Sequence, residues 1–347
     1  MKNKTSKAGI VFFIIALILS IGVGVFEIVY SIKHPSENSI SISSTKDLFQ
    51  NNQAFSFPFR KNEVTVTKVP KSEYIAKLVI AGTIEKENMT YNQQWLLSTV
   101  KKLQKDSKNK GIILFIDSPG GTVYEADELY LALQKYKEET KRPVYAYFGS
   151  LAASGGYYIG CSADYIMANR NTITGSIGVI SGQFVDITKL MEKYGVKVTT
   201  IHSGKNKAMG SLGSSVTDEQ IAIMQAISDE CYEQFTNIVS KARNIPLSDV
   251  KKLADGRVYT AKQAVQNKLI DSTGDFDLCK EIMCSKCFEN KQIEAVTFEY
   301  KRAQTFYDYF MNAASTLKGI KTNSELPNVI EEALTEKIKF PAYYYSK

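Results

Sequence analysis

Two apolar segments, each followed directly by a turn of small residues, constrain the fold of this chain more than any other feature. Residues 111–116 and 143–148 are short and almost wholly apolar, which predicts buried strands. Segments with helical spacing follow both turns. Strands that are apolar on both faces are typical of a parallel sheet flanked by helices. The chain is therefore predicted to have an α/β fold, with further strands at 76–80, 165–168 and 196–201.

The helical segments are marked by apolar spacing and by one clear start signal. Thr217, followed three residues later by Gln220, predicts a capping box at the start of a long helix over 217–243. Shorter helices are predicted at 91–105, from 155 onward and at 261–268. Together these elements predict one folded domain over 76–290, after a polar stalk at 31–75 and before a C-terminal extension at 291–347.

The first thirty residues differ in kind from the rest of the chain. Lys2, Lys4 and Lys7 precede an apolar run over 8–26, which as a helix would span about 28 Å, close to the thickness of a bilayer core. Because no small-x-small cleavage site follows, we interpret residues 1–30 as a transmembrane signal anchor and not as a cleaved signal peptide. The leading lysines place the N-terminus in the cytoplasm, so the domain is predicted to lie outside it, attached to the cell membrane.

The charge pattern excludes one large class of function. The net charge is +7, and the lysines are interleaved with Asp and Glu along the chain. A nucleic-acid-binding protein needs a basic face or stripe, which this pattern does not form. We expect no nucleic-acid partner.

The cysteines leave three interpretations open. Cys279, Cys284 and Cys287 have the spacing C-x4-C-x2-C, which suits an iron–sulfur or zinc site, although no fourth cysteine follows them. A disulfide between Cys284 and Cys287 would fit a location outside the cytoplasm. The third interpretation is a helix that carries unpaired thiols on a packed face. We predict no metal and no cofactor for the protein.

Ser154 is the candidate nucleophile. It follows the strand over 143–148 and stands among alanines and glycines at a predicted strand-to-helix turn, where a hydroxyl can be presented for reaction. An ordinary N-cap serine would have the same local pattern. Gly121, in the turn Asp117-Ser118-Pro119-Gly120-Gly121, is the candidate oxyanion donor, with Gly155 as the second donor. A plain turn between a strand and a helix also favours Pro-Gly-Gly.

Lys207 is the candidate general base, with Lys205 as its rival. A lysine acts as a base only when its surroundings keep it uncharged, which predicts an apolar site with little water. Ser176 would orient the neutral amine. The chain has only two histidines, and His202 is interpreted as a half-exposed core residue and not as the base of a serine enzyme.

Five segments of the chain resemble, in order, the motifs of the signal peptide peptidase A family in its short, single-copy bacterial form. They are residues 117–121, 149–158, 174–179, 203–207 and 255–259, and the resemblance covers about residues 75–275. It implies a ClpP/crotonase-like fold. It also implies a membrane-anchored serine endopeptidase that degrades remnant signal peptides and needs no cofactor.

The resemblance also assigns roles to single residues. It implies Ser154 as nucleophile, Lys207 as base, Gly121 as oxyanion donor and Ser176 as the hydroxyl partner of the lysine. It further implies a homo-oligomer in which neighbouring subunits contribute the serine and the lysine of one site. Two departures concern loop geometry: the family often has aspartate where this chain has Ala208, and a third glycine at position 122, which is threonine here.

Other interpretations remain open at this stage. A crotonase-like acyl-CoA enzyme would share the fold, although CoA is cytoplasmic, and so would a membrane scaffold without catalytic activity. The aromatic tail over 340–345 either occupies a groove of the active site, where it could also be trimmed, or is an ordinary packed or disordered terminus.

Overall fold

The computed structural model describes residues 71–302 and two short strands outside that range. All of them lie within the unit Arg60–Lys347. The strands are β1 (Thr65–Val66), β2 (Tyr74–Ala81), β3 (Asn109–Ser118), β4 (Gly120–Thr122), β5 (Val144–Ala153), β6 (Tyr165–Ala168), β7 (Ile173–Gly175), β8 (Val258–Thr260), β9 (Ser272–Thr273), β10 (Glu294–Glu299) and β11 (Ala342–Tyr344). The helices are α1 (Gln93–Lys105), α2 (Val123–Thr140), α3 (Gly155–Gly160), α4 (Thr188–Lys193), α5 (Asp218–Arg243), α6 (Leu247–Leu253), α7 (Ala261–Gln266) and α8 (Phe276–Cys287).

The predicted membrane anchor lies outside the described residues, as do most of the predicted stalk and extension. Within residues 71–302, none of the helices is both long enough and apolar enough to cross a membrane. The domain boundaries at 75 and 290 stay predictions. Strand β10, in the predicted extension, pairs with β2 inside the main sheet.

The main sheet is largely parallel, which confirms the predicted fold class. Its order is β1-β10-β2-β3-β5-β6-β9, and β7 and β8 continue from the end of β5. Strand β1 on β10 and β8 on β7 are the antiparallel pairs; the other neighbours in this sheet run parallel. A parallel sheet places the carboxyl ends of its strands at one edge, where turns from different parts of the chain meet.

Apolar side chains on both faces of the central strands explain why these segments form a covered sheet. Along β3, Ile112, Leu114 and Ile116 pack into the larger core under α1, α2 and α3, whereas Ile113 points into a second core under α8. All four are fully buried. Burying each such side chain contributes about 2 kcal/mol to stability, so a run of apolar residues favours a buried strand.

Polar residues at the N-terminal caps determine where α1 and α5 begin. Thr217 and Gln220 form the predicted capping box at the start of α5, with both reciprocal hydrogen bonds present. The side chain of Asn92 accepts from the N–H of Trp95 and so begins α1. These caps satisfy N–H groups that have no partner inside the helix.

The cysteines of α8 belong to the second core. All five cysteines of the chain are free thiols; Cys279 and Cys284 are buried, whereas Cys287 is exposed. Burial raises the pKa of the Cys279 thiol to about 12, as it does for Cys161 under the other face. Among the described residues no three metal-ligating side chains come together. The interpretation as unpaired thiols therefore agrees with the structure.

Two predictions for the segment between β7 and α5 are wrong. Residues 196–201 form no strand, and Ile201 is 96% exposed. Their alternation of apolar and polar residues resembles a strand, but in the described chain no neighbouring strand pairs with them. His202 is exposed and contacts the carbonyl of Gly204, so it is not a core residue.

Candidate active site

Four of the five predicted site residues meet at the carboxyl edge of the sheet. Ser154 follows β5 directly, and its N–H donates to the carbonyl of Gly175, at the end of β7, over 2.8 Å. Ser176 comes next in the chain and is buried. On the other side of Ser154, a Cβ built on Gly155 would lie 3.3 Å from the nitrogen of Gly121.

Ser154 has a strained backbone and a hydroxyl with no partner. Its φ is 54° and its ψ is −118°, a conformation that costs a serine on the order of 1–3 kcal/mol. The residue is fully buried, and within the described part of the chain its Oγ makes no hydrogen bond. Leaving such a group unpaired costs about 1–3 kcal/mol more. A fold that tolerates both costs at one residue indicates a functional position.

Ser162 is the other buried hydroxyl without a partner among the described residues. Its backbone does not have the positive φ of Ser154. We have no physical account of its unpaired state. The combination of strain and an unpaired hydroxyl is thus found only at Ser154 within the described residues.

Gly121 must be a glycine because another backbone lies against it. A Cβ at this position would lie 1.8 Å from the carbonyl oxygen of Ile84, far inside contact distance. The flanking residues bind the same segment: Thr122 N–H donates to Ile84 O, and Ile84 N–H donates to Gly120 O, each over 2.8 Å. The sequence analysis did not predict this contact, because no local pattern marks Ile84.

A strand from the C-terminal tail lies on the other side of Gly121. Ala342–Tyr344 (β11) pairs antiparallel with Gly120–Thr122 (β4), with Tyr343 opposite Gly121. Strand β11 also contacts α3, the helix that begins after Ser154. Of the two interpretations of the tail, the structure therefore agrees with the one in which it occupies a groove beside the predicted oxyanion donor.

Lys207 is not brought to Ser154 within one chain. It is exposed, and its Nζ makes neither a hydrogen bond nor an ion pair with any residue that the structure describes. Its neighbours are held: Lys205 forms an ion pair with Glu219, and Asn206 donates to the same carboxylate, at the start of α5. Lys205 is thus paired within its own chain, whereas the amine of Lys207 has no partner among the described residues.

The segment around Lys207 also exposes an unusual number of large apolar side chains. They come from the segment between β7 and α5, which includes α4, and from the first half of α5. We call them the apolar arm: Ile180, Val185, Leu190, Tyr194, Val196, Val198, Ile201, Ile221, Ile223 and Ile227. The exposure of many large apolar side chains in one stretch of the chain is typical of a surface that another molecule covers.

The sequence of the chain is similar to those of known proteases. The sequence model of peptidase family S49 matches residues 136–286. A predicted signal peptide peptidase SppA of Enterococcus faecium is 35% identical over 295 residues, which cover 82% of this chain and 84% of that protein. The chain therefore belongs to the SppA family of peptidase family S49, a family of serine proteases.

Other similarities cover smaller parts of this chain. Protease 4 of Haemophilus influenzae is 34% identical over 58% of this chain and 33% of its own length. The chloroplastic serine protease SPPA of Arabidopsis thaliana is 32% identical over 56% of this chain and 28% of its own. A solved ClpP1 mutant of Listeria monocytogenes is 17% identical, with a TM-score of 0.40 over 59% of this chain and 94% of that one.

Proposed function

We propose that this protein is a serine endopeptidase with a Ser–Lys dyad, anchored to the cell membrane, that degrades remnant signal peptides. The observation that carries the proposal is Ser154, a buried serine with a strained backbone, whose hydroxyl has no partner in the described chain. Next to it lie Gly155 and Gly121, whose N–H groups are the proposed oxyanion donors. Membership in a family of serine proteases supports the same role.

In the proposed reaction the uncharged amine of Lys207 removes the proton of Ser154 as Oγ attacks the peptide carbonyl carbon. The N–H groups of Gly121 and Gly155 donate to the resulting oxyanion. The protonated lysine then gives its proton to the leaving amine, and water hydrolyses the acyl-enzyme by the same route. Ser176 accepts or donates a hydrogen bond that orients the amine.

The pairing of serine and lysine requires a second copy of the chain. Lys207 is exposed in its own protomer and lies next to the apolar arm, so burial of the arm by a neighbour would also remove water from the lysine. We propose a closed homo-oligomer in which Lys207 of one protomer meets Ser154 of the next.

Extended, apolar peptides are the substrates that the site favours. An antiparallel strand, β11, pairs with β4, so this edge accepts main-chain hydrogen bonds from an extended segment. Cleaved signal peptides are extended, apolar and close to the membrane. Similarity to the signal peptide peptidase of Enterococcus faecium supports this substrate class.

The activity is tested with the full chain in detergent and a synthetic peptide that has the sequence of a cleaved signal peptide. Ser154→Ala and Lys207→Ala should each lower kcat/KM by about a thousandfold or more. Lys205→Ala is the matched control, since Lys205 is two residues away and held by Glu219; it should keep activity. A serine-directed fluorophosphonate should label Ser154. Full activity in Ser154→Ala would contradict the proposal.

The membrane anchor is tested separately. Washing membranes with alkaline carbonate should leave the full chain in the membrane pellet and should release a chain that begins at residue 31. Release of the full chain by the same wash would contradict anchoring by residues 1–30.

A further inference from the structure

Strand β5 contains an irregularity just before Ser154. Its parallel pairing with β3 runs in register up to Ile116 opposite Phe148 and resumes at Ser118 opposite Ala152. Three residues of β5, at positions 149–151, therefore lie opposite the single residue Asp117. Such a bulge interrupts the ladder and redirects the strand that carries it.

The side chain of Asp117 fills the gap in this ladder. Its Oδ1 accepts a hydrogen bond from the Oγ of Ser150 over 2.7 Å and from the N–H of Leu151 over 3.0 Å. A Cβ on Gly149 would lie 3.2 Å from the Cβ of Asp117, so a larger residue there would crowd the carboxylate. On the other side, the Oγ1 of Thr172 donates to Gly149 O over 2.6 Å. The bulge is thus held from both sides.

The bulge divides β5 into two parts that pair with different strands. Before it, β5 pairs with β6, with Phe148 opposite Ala168; after it, Leu151–Ala153 pairs with β7. The N–H of Ser154 continues this second pairing by donating to Gly175 O. The position of the Ser154 hydroxyl therefore depends on the shape of the bulge.

Asp117 also lies at the start of the turn that carries Gly121. Its main-chain oxygen accepts from the N–H of Gly82 over 3.0 Å. The next residue, Ser118, accepts through its Oγ from the N–H of Gly120 over 3.1 Å, at the start of the turn that carries Gly121. One residue thus connects the strand that leads to Ser154 with the turn that presents Gly121.

We propose that Asp117 is a positioning residue, which sets the distance between Ser154 and Gly121 by bracing the bulge of β5. The hydrogen bonds of its carboxylate go to Ser150 and Leu151, and not to Ser154 or Gly121. The inference rests on the proposed function, because it assumes that Ser154 is the nucleophile. The sequence showed Asp117 only as part of a turn; its partners on β5 lie more than thirty residues away.

Asp164 provides a matched control at the opposite end of the same strand. Its Oδ2 accepts from the N–H of Val144, the first residue of β5, over 2.9 Å, and the carboxylate also pairs with Lys137. Like Asp117, it holds a main-chain N–H of β5. Unlike Asp117, it lies far along the strand from Ser154.

The test compares Asp117→Ala, Asp117→Asn and Asp164→Ala in the full-length protein. Asp117→Ala should lower kcat by about tenfold to a hundredfold with little change in KM, because small misplacements of reacting groups have effects of this size. Asp117→Asn keeps an oxygen acceptor and should restore kcat to within about threefold of wild type. Asp164→Ala should lower the Tm but leave kcat within about threefold.

Hydrogen exchange at the Leu151 amide gives a second readout that does not depend on activity. The amide should exchange faster in Asp117→Ala and remain protected in Asp117→Asn and in Asp164→Ala. Unchanged kcat or unchanged exchange at Leu151 in Asp117→Ala would overturn the proposal. So would an equal loss of kcat in Asp164→Ala at an equal loss of Tm. If Ser154→Ala stays active instead, the proposed function fails, whatever the exchange data show about Asp117.

Discussion

At the amino end of the parallel sheet, a group of buried and half-buried polar side chains is internally paired. At the carboxyl end, by contrast, the hydroxyl of Ser154 has no partner in the described chain. At the amino end, Tyr136 OH donates to Asn109 Oδ1 over 2.5 Å and Tyr74 OH donates to Asp106 over 2.8 Å. Arg142 donates to the carbonyls of Leu103 and Asp106. Every member of this cluster thus has a hydrogen-bond partner.

The electrostatics of the amino end follow from that pairing. Burial raises the pKa of Tyr136 to about 12. Burial, and then the hydrogen bond to the carboxylate of Asp106, raises the pKa of Tyr74 above its ordinary value. Both phenols therefore stay neutral and act as hydrogen-bond donors near neutral pH. A polar cluster whose members are all paired makes this end of the fold more rigid.

The carboxyl end shows the opposite arrangement. Ser154 combines a positive φ with a buried, unpaired hydroxyl, and Gly121 lies against the backbone of Ile84 in a space that no side chain fits. Strain and unpaired groups reduce stability, so they persist only where the surrounding structure enforces them. The comparison separates the end of the sheet that stabilises the domain from the end that holds the candidate active site.

Of the predictions that test this difference between the two ends of the sheet, the largest loss of activity is expected for Gly121→Ala. In Gly121→Ala the new Cβ would overlap the carbonyl oxygen of Ile84, so β4 must move and the oxyanion donor with it. We expect kcat/KM to fall by about a hundredfold or more. Gly155→Ala is the graded control: its Cβ would meet its neighbours at 3.3–3.4 Å, so a smaller loss is expected. Peptide cleavage by both variants measures the difference, and equal activities would contradict the close approach at Gly121.

A smaller effect, on stability alone, is expected at the amino end. Asn109→Ala leaves the buried hydroxyl of Tyr136 without an acceptor and should cost about 2–3 kcal/mol of unfolding free energy. The Tm should fall by roughly 5–10 °C for a domain of this size. The kcat at a temperature where the variant is folded should match wild type.

Tyr136→Phe is the matched control for this loss. It removes the donor as well as the need for an acceptor, so the double variant should lose less stability than the two single losses added together. Additive losses, or a fall in kcat with Asn109→Ala, would show that the two ends of the sheet are not separate in function.

The sequence predicted the elements around the site and their meeting point. Apolar segments at 111–116 and 143–148 became β3 and β5, and adjacent parallel strands bring the turns that follow them to one edge. This explains why Gly121, Ser154 and Ser176, far apart in the chain, lie together. The capping box at Thr217 also formed as predicted, because both of its partners are local.

Other features depend on contacts between distant residues, and no local pattern predicts them. The bulge at positions 149–151 and its bond to Asp117 depend on the register between two strands. The approach of Ile84 to Gly121 and the pairing of Tyr343 opposite the same glycine join segments that are far apart in sequence. Residues 196–201 are the opposite case. Their pattern predicted a strand, but no strand of the described chain pairs with them.

The central claim is that one active site takes its serine and its lysine from different protomers, and it is tested by mixing two inactive chains. Ser154→Ala and Lys207→Ala, co-expressed in equal amounts with different tags and purified as mixed oligomers, are assayed on the signal peptide substrate. We predict recovery of about a quarter of the wild-type activity, because a complete site then joins Ser154 of one variant chain to Lys207 of the other. Mixed oligomers as inactive as either variant alone would contradict the account.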